Sequence, residues 1–248
     1  MNPLPPLTAS RDLKQQMRGV GWAVLSAPTM AAQSHGAPPD WTAWHAHWDD
    51  LPPDAHLRDG GRYRRRRHGC CIVSADRVSP APHRAHWQPV EYNALHGGFE
   101  RWFEPLPQSL VEAPGWAAML VGLAQVADDM ADNPRPTPAW FVESHLFRID
   151  TAGGIGRPTP EGAHRDGVDL VAVVLVGRQN VKGGETRVFD AHGPQGMRFT
   201  LTEPGSALLL DDARVIHEST PIQPVNPEQS AFRDTLVVTL RRGGFQGP

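Results

Sequence analysis

From Trp140 onward the chain is a succession of short apolar runs parted by glycine- and proline-rich turns. FVESHLFRI, VDLVAVVLV, GETRVFD, MRFTLT, SALLLDD and DTLVVTLRR are six strand-length segments within about 100 residues. That density of strands points to a β-sandwich or a barrel. LVAVVLV is apolar on both faces, so its strand belongs in the middle of a sheet. Proline (25) and glycine (24) are spread along the chain, as many short elements joined by turns require.

The best helix lies upstream. Pro114 is a good first helical residue, and Trp116, Met119, Leu120, Leu123, Val126 and Met130 follow at helical spacing, which predicts a helix over 114–131. Pro134, Pro136 and Pro138 would stop it. A shorter helix, capped by Thr8 or Ser10, is expected through Met17 and ended by Gly19 and Gly21. Residues 28–59 read as loop with a short helix around Trp41 to Trp48. The whole is expected to be one domain over residues 1–248. A helical and loop segment of about 1–60 would precede a mainly β core of about 60–248 with flanking helices.

Charge excludes some functions. The net charge of −3 gives no basic field for nucleic acid or anionic membrane, and no apolar stretch is long enough to span a bilayer. The first residues lack the basic-then-apolar pattern of a secretion signal. Cys70 and Cys71, the only cysteines, are sequence neighbours and read as reduced structural thiols. Together these features predict a cytoplasmic protein. The run Arg62 to Arg67 is expected to pair with acids along an edge strand rather than to bind nucleic acid. His45 and His47, and His83 and His86, lack a carboxylate at ligand spacing and are expected at the surface.

EGAHRDGVDL sets His164 and Asp166 two apart, just before the run that begins at Val168. On a strand both would point the same way, with Arg165 opposite. An imidazole beside a carboxylate supplies two legs of the two-His-one-carboxylate triad that binds Fe(II) on one face. His217, after the apolar run 206–212, supplies a third leg from an adjacent strand. Arg233 and Thr235, again two apart, put a guanidinium and a hydroxyl on one face, a combination suited to a carboxylate.

HRDGVDLVAVVLVGRQNVKGGETRVFD, LLLDDARVIHESTPI and RDTLVVTLRR, with QPVEYNALHGGFERWFEPL upstream, resemble the Fe(II)/2-oxoglutarate dioxygenases that hydroxylate free amino acids in bacteria, the isoleucine dioxygenase group. The likeness covers residues 60–248. It implies a double-stranded β-helix, the jelly-roll fold of cupins. It also implies iron at His164, Asp166 and His217, and the distal carboxylate of 2-oxoglutarate at Arg233 with Thr235 beside it. O₂ would complete the reagents, with succinate and CO₂ released. An aspartate at 166 fills the position that related halogenases leave to chloride, which favours hydroxylation. The strand before the HxD lines the cavity in such folds, so Glu143 and His145 are candidate substrate contacts, Glu143 for an ammonium. Arg148 and Arg187 are the alternative cations for the co-substrate. The partner expected is a small molecule; the sequence says nothing of oligomeric state. The competing reading is a jelly-roll protein that binds metal or senses a small molecule without turnover.

Overall fold

The computed structural model describes residues 4–131 and 137–248. Taken in sequence order, the first half holds α1 (Leu13–Val20), β1 (Trp22–Leu25), α2 (Ala27–Ala32), α3 (Trp41–Trp44), β2 (Arg64–Ser74), β3 (Arg77–Pro80), α4 (Gln108–Val111) and α5 (Pro114–Met130). The second half is β4 (Trp140–Asp150), β5 (Leu170–Gln179), β6 (Val181–Gly183), β7 (Thr186–Asp190), β8 (Gly196–Phe199), β9 (Ala207–Asp211), β10 (Val215–Ser219), β11 (Ile222–Pro224) and β12 (Phe232–Arg241). The helix expected over 114–131 is therefore present as α5. Two of the prolines read as its stop, Pro134 and Pro136, lie outside the described residues.

One antiparallel sheet of seven strands, ordered β1-β9-β5-β12-β4-β2-β3, faces two smaller sheets, β10-β7-β8 and β11-β6. This is a mainly β, double-stranded β-helix. The centre of the large sheet is β12, flanked by β5 and β4, as two-sided apolar strands require. Side groups alternate along each strand. Leu170, Ala172, Val174, Leu236, Val238, Leu240, Val142 and Leu146 face outward onto α5, where they meet Leu120 and Leu123. Val171, Leu175, Leu208 and Leu210 face inward and pack on Val188, Phe199 and Val215 of the smaller sheet. Leu236 is fully buried, so truncation to alanine should cost about 2–5 kcal/mol. Helix α5 lies so close to the turn after α2 that a Cβ added at Gly122 would collide with the carbonyl of Gln33.

Two expectations need correction, and a third is met with a difference. The N-terminal segment is more than helix and loop, because β1 adds an edge strand to the large sheet through Trp22–Leu210 to Leu25–Ala207 pairing. The arginine run lies where β2 is laddered to β4 alone, since β3 pairs only with Cys71 to Ser74, but alternate arginines take opposite faces. Arg65 and Arg67 point outward, at 3.6 Å from Asp150 and 2.7 Å from Glu104, and pair with acids as expected; Arg64 and Arg66 also meet an acid, Asp54, but point inward and are buried. His86 is buried as well, and His45 reaches Asp234 at 3.1 Å; His83 remains exposed.

Candidate active site

The inward face of the large sheet and the smaller sheet enclose a cavity of ≈ 130 Å³ that takes in His164, Asp166, His217, Arg233, Thr235, Glu143 and His145. Every site residue expected from the sequence lies on its wall. The cross-strand register explains why. Arg64, Ile149 and Arg233 form one row across β2, β4 and β12, Arg66, Phe147 and Thr235 the next, and His68, His145 and Val237 the third.

The HxD segment differs from the expectation. Only His164 joins a ladder, in a single antiparallel bridge to His217. Asp166 sits in a turn that Gly167 makes at φ 77°, the left-handed region that favours glycine. Asp212 organises that turn: its carboxylate accepts the backbone N–H groups of Asp166 (3.0 Å), Gly167 (2.7 Å) and Val168 (3.1 Å). The convergence expected from strand geometry thus comes from a bridge, a glycine and a buried carboxylate. Burial, with Asp166 next to it, pushes the Asp212 carboxyl up to about 7.

The donor set fits a divalent ion. His164 Nδ1–H donates to the carbonyl of Gly162 at 2.9 Å, which fixes the tautomer and leaves Nε2 free to ligate. His164 Nε2 lies 3.8 Å from Asp166 Oδ1, and His217 Nε2 lies 3.8 Å from Asp166 Oδ2. These separations are too long for hydrogen bonds and let all three reach one ion between them. Burial, with His164 nearby, holds His217 well below its usual range, in the neutral ligating form. Burial works against charge on His164, but Asp166 and Glu161 outweigh it and hold its pKa up. Two imidazoles and one carboxylate on one side of an ion are the donor set of non-haem Fe(II) oxygenases.

Deeper in the cavity, Arg233 is buried (3% exposed), makes no hydrogen bond among the described residues and keeps Nε without a partner. Its neighbour Arg178 is spent on the carbonyls of Leu201, Val181 and Gly183. Burial, with Arg178 adding, brings Arg233 down to about 10, so it stays charged and unpaired. The alternative cations are engaged elsewhere. Arg148 grips Asp234 and Asp49, and Arg187 pairs with Glu185 and Glu218. Neither lines the cavity.

The sequence model of the 2OG-Fe dioxygenases matches residues 45–239. The protein belongs to the 2OG-Fe dioxygenase family. It is an enzyme, and its reagents are Fe(II), 2-oxoglutarate and O₂. The crystal structure of a bsmA homolog from Methylobium petroleophilum PM1 is similar over 99% of this protein and 98% of that one, at 51% identity and a TM-score of 0.90. IDO from Bacillus thuringiensis shares the fold over 96% of this protein and 97% of its own length, at 17% identity and a TM-score of 0.75. The Fe(II)/(alpha)ketoglutarate-dependent dioxygenase TqaL does so over 94% and 87%, at 20% identity and a TM-score of 0.69. No curated protein sequence matches this one.

Elsewhere in the dioxygenase cavity, Gln88 and Glu161 carry no sequence signal of their role, while Glu143 is a candidate from the sequence. Gln88 donates to Asp166 Oδ1 at 2.9 Å, and its own carbonyl is held by Arg101 (2.8 Å) and Asn93 (3.2 Å). Glu161 sits with Oε1 3.6 Å from His164 Nε2, its other oxygen buried and unpartnered. Glu143 accepts from His68 Nε2 (2.8 Å) and His86 Nδ1 (2.7 Å) through a single oxygen. Burial opposes its ionisation, but His86 and His68 outweigh that and hold it far below the usual carboxylate range.

His68, His86, Glu143 and His145 also bring four ligand atoms within 4.8 Å of one another. His145 is not available as a ligand there. Arg66 donates to His145 Nδ1 at 2.7 Å, so the neutral ring carries its proton on Nε2 and has no lone pair left to give. Arg66 itself is pinned between the rings of Phe103 (3.9 Å) and Phe147 (4.4 Å). Cys70 and Cys71 are free, and burial pushes the Cys71 thiol up to about 12, which suits structural thiols.

Proposed function

We propose that this dioxygenase hydroxylates an unactivated C–H bond of a small polar metabolite, a free L-amino acid or a close derivative, with release of succinate and CO₂. The observation that carries the reading is the cavity wall: buried charges of both signs stand beside the triad in a space of ≈ 130 Å³. A zwitterion of metabolite size suits such a wall, and a hydrocarbon or a protein surface does not. The resemblance of HRDGVDLVAVVLV and RDTLVVTLRR to the isoleucine dioxygenase group supports the same class.

Bound Fe(II) with 2-oxoglutarate and O₂ supplies the oxidising power. The protein supplies the rest. His164, Asp166 and His217 would hold the ion, with Gly162, Gln88 and Asp212 fixing the ligands' orientation. Arg233 and Thr235 would take the distal carboxylate of 2-oxoglutarate. Val168, Val173 and Val237 keep part of the wall apolar, so a substrate displaces water from where its C–H must lie.

Residues 1–248 are read as one domain, because β1 completes the sheet that carries the site. No helix among the described residues is long and apolar enough to cross a membrane. A cytoplasmic enzyme acting on a small molecule, without nucleic acid, is the proposal that fits the reduced cysteines and inward-facing arginines. The test is a screen of the L-amino acids with Fe(II), ascorbate and 2-oxoglutarate, read by succinate and by a product heavier by one oxygen. Turnover of a peptide or a nucleobase, and of no amino acid, would overturn it.

A further inference from the structure

Charged side chains of both signs in the cavity keep buried atoms without hydrogen-bond partners. Arg101 is 2% exposed, gives one hydrogen bond, to Gln88, and has a buried Nε–H with no acceptor. Arg66, 3% exposed, donates to His145 at 2.7 Å and stands 3.9 Å from Asp54, yet its buried Nε–H has no acceptor. Glu161 carries a buried carboxylate oxygen that accepts nothing. Both arginines and Glu161 line the same cavity, yet no ion pair joins Glu161 to either among the described residues. Buried polar atoms left bare are costly, and on a cavity wall they are positions that a polar ligand would satisfy. Arg64 holds the same Asp54 more closely, at 2.7 Å against 3.9 Å for Arg66.

We infer that Arg101 and Arg66 receive the carboxylate of the substrate, and that Glu161 receives its ammonium. The assignment rests on the amino-acid reading above and deepens it. The two ends of an α-amino acid are joined by a single carbon, so one molecule answers both sets of bare atoms. Burial, with Arg64 adding to it, lowers Arg101 to about 10, against the opposing charges of Asp54 and Glu161. Arg66 is preorganised by the two rings that sandwich it. Glu161, at 3.6 Å from His164 Nε2, would set the ammonium next to the triad and so bring a nearby C–H bond of the substrate toward the reacting centre.

This moves the ammonium from Glu143, the candidate of the sequence, to Glu161. The Glu143 oxygen is already met by two imidazole donors, and a third imidazole, His145, stands 3.9 Å away. A cation brought there would displace donors already in place.

The test uses the full-length protein with Fe(II) and 2-oxoglutarate. Its probes are the most active L-amino acid of the screen, the same molecule without its amine, and the same molecule without its carboxylate. Glu161→Gln should raise the KM and the Kd of the amino acid by about 30-fold or more while leaving the deaminated acid within a few-fold. Arg101→Met should do the reverse, weakening the amino acid and the deaminated acid but not the amine, and Arg101→Lys should restore part of the loss. Anaerobic Fe(II) titration should give Glu161→Gln the affinity of the parent enzyme. If Arg101→Met fails to fold, Glu161→Gln alone still decides. Unchanged amino-acid affinity in Glu161→Gln, with or without weakened Fe(II) binding, overturns the assignment; weakened Fe(II) binding would make Glu161 a metal-side group. If no amino acid raises succinate release above the substrate-free rate, the amino-acid reading itself falls, and this assignment falls with it.

Discussion

His164 and His217 hold each other by their backbones: each N–H donates to the other's carbonyl at 3.0 Å. The two rings lie 4.6 Å apart between centroids. Because the bridge is made of backbone groups, removing either ring leaves it in place. His217→Ala and Asp166→Ala should therefore stay folded while losing coupled hydroxylation by orders of magnitude. Circular dichroism and succinate release at limiting Fe(II) check both halves. Full activity in either variant would be incompatible with the assigned ligands.

Asp212 matters through the turn it ties. Its carboxylate accepts from three successive N–H groups, and an amide at this position would present N–H to N–H. Asp212→Asn should weaken Fe(II) binding by about 10- to 100-fold, the range for groups that orient a ligand. Gln88→Leu frees one oxygen of Asp166 and should act in the same direction. Anaerobic Fe(II) titration of the two variants reads the effect; parent-like affinity in both would show that the ligands orient themselves.

Gly167 allows Asp166 to turn. A Cβ added there would lie 2.5 Å from the ring of Tyr92, at a φ of 77°. Gly167→Ala should cost about 1–3 kcal/mol of stability and lower Fe(II) affinity. A thermal melt and an iron titration indistinguishable from the parent would contradict the role given to the turn.

Acid should destabilise the fold through the cluster around Glu143. Burial brings His86 down to about 4 and lowers His68 as well. An unfolded histidine binds its proton near 6.5, so between about 6.5 and 4 the unfolded state holds a proton that the folded one refuses. Stability therefore falls as pH drops through that window, by roughly 3 kcal/mol at pH 4 from His86 alone. Glu143, held low in the fold, adds the same sign below its usual range. Melting temperatures from pH 7 to pH 4 should decline, less steeply in His86→Gln. An equal slope in that variant would remove His86 as the cause.

Much of this was legible in the sequence because it lies on regular strands. The two-sided apolar runs gave β5 and β12 their central places, and the spacing of Arg233 and Thr235 survives in the structure as one face of β12. The alternation of Arg64, Arg66 and His68 was equally readable as one inward face of β2, and the charge of the run hid it. Gln88, Arg101 and Glu161 carry no such signal. They sit on irregular segments, and only tertiary packing brings Gln88 to Asp166 and Glu161 to His164. His164 and Asp166 converge as expected but for another reason, since a glycine turn tied by Asp212 replaces the strand.

The central claim is that one cavity binds iron through His164, Asp166 and His217 and, separately, 2-oxoglutarate through Arg233. Anaerobic titration of 2-oxoglutarate into the Fe(II) protein, followed by the metal-to-ligand charge-transfer band, tests it most directly. Losing one partner of a buried charge pair costs about 2–5 kcal/mol, so Arg233→Ala should need about 30 to several thousand times more 2-oxoglutarate. Its Fe(II) affinity should match the parent, and Arg233→Lys should fall between the two. A parent-like 2-oxoglutarate titration in Arg233→Ala would contradict the account, and so would a loss of iron in that variant.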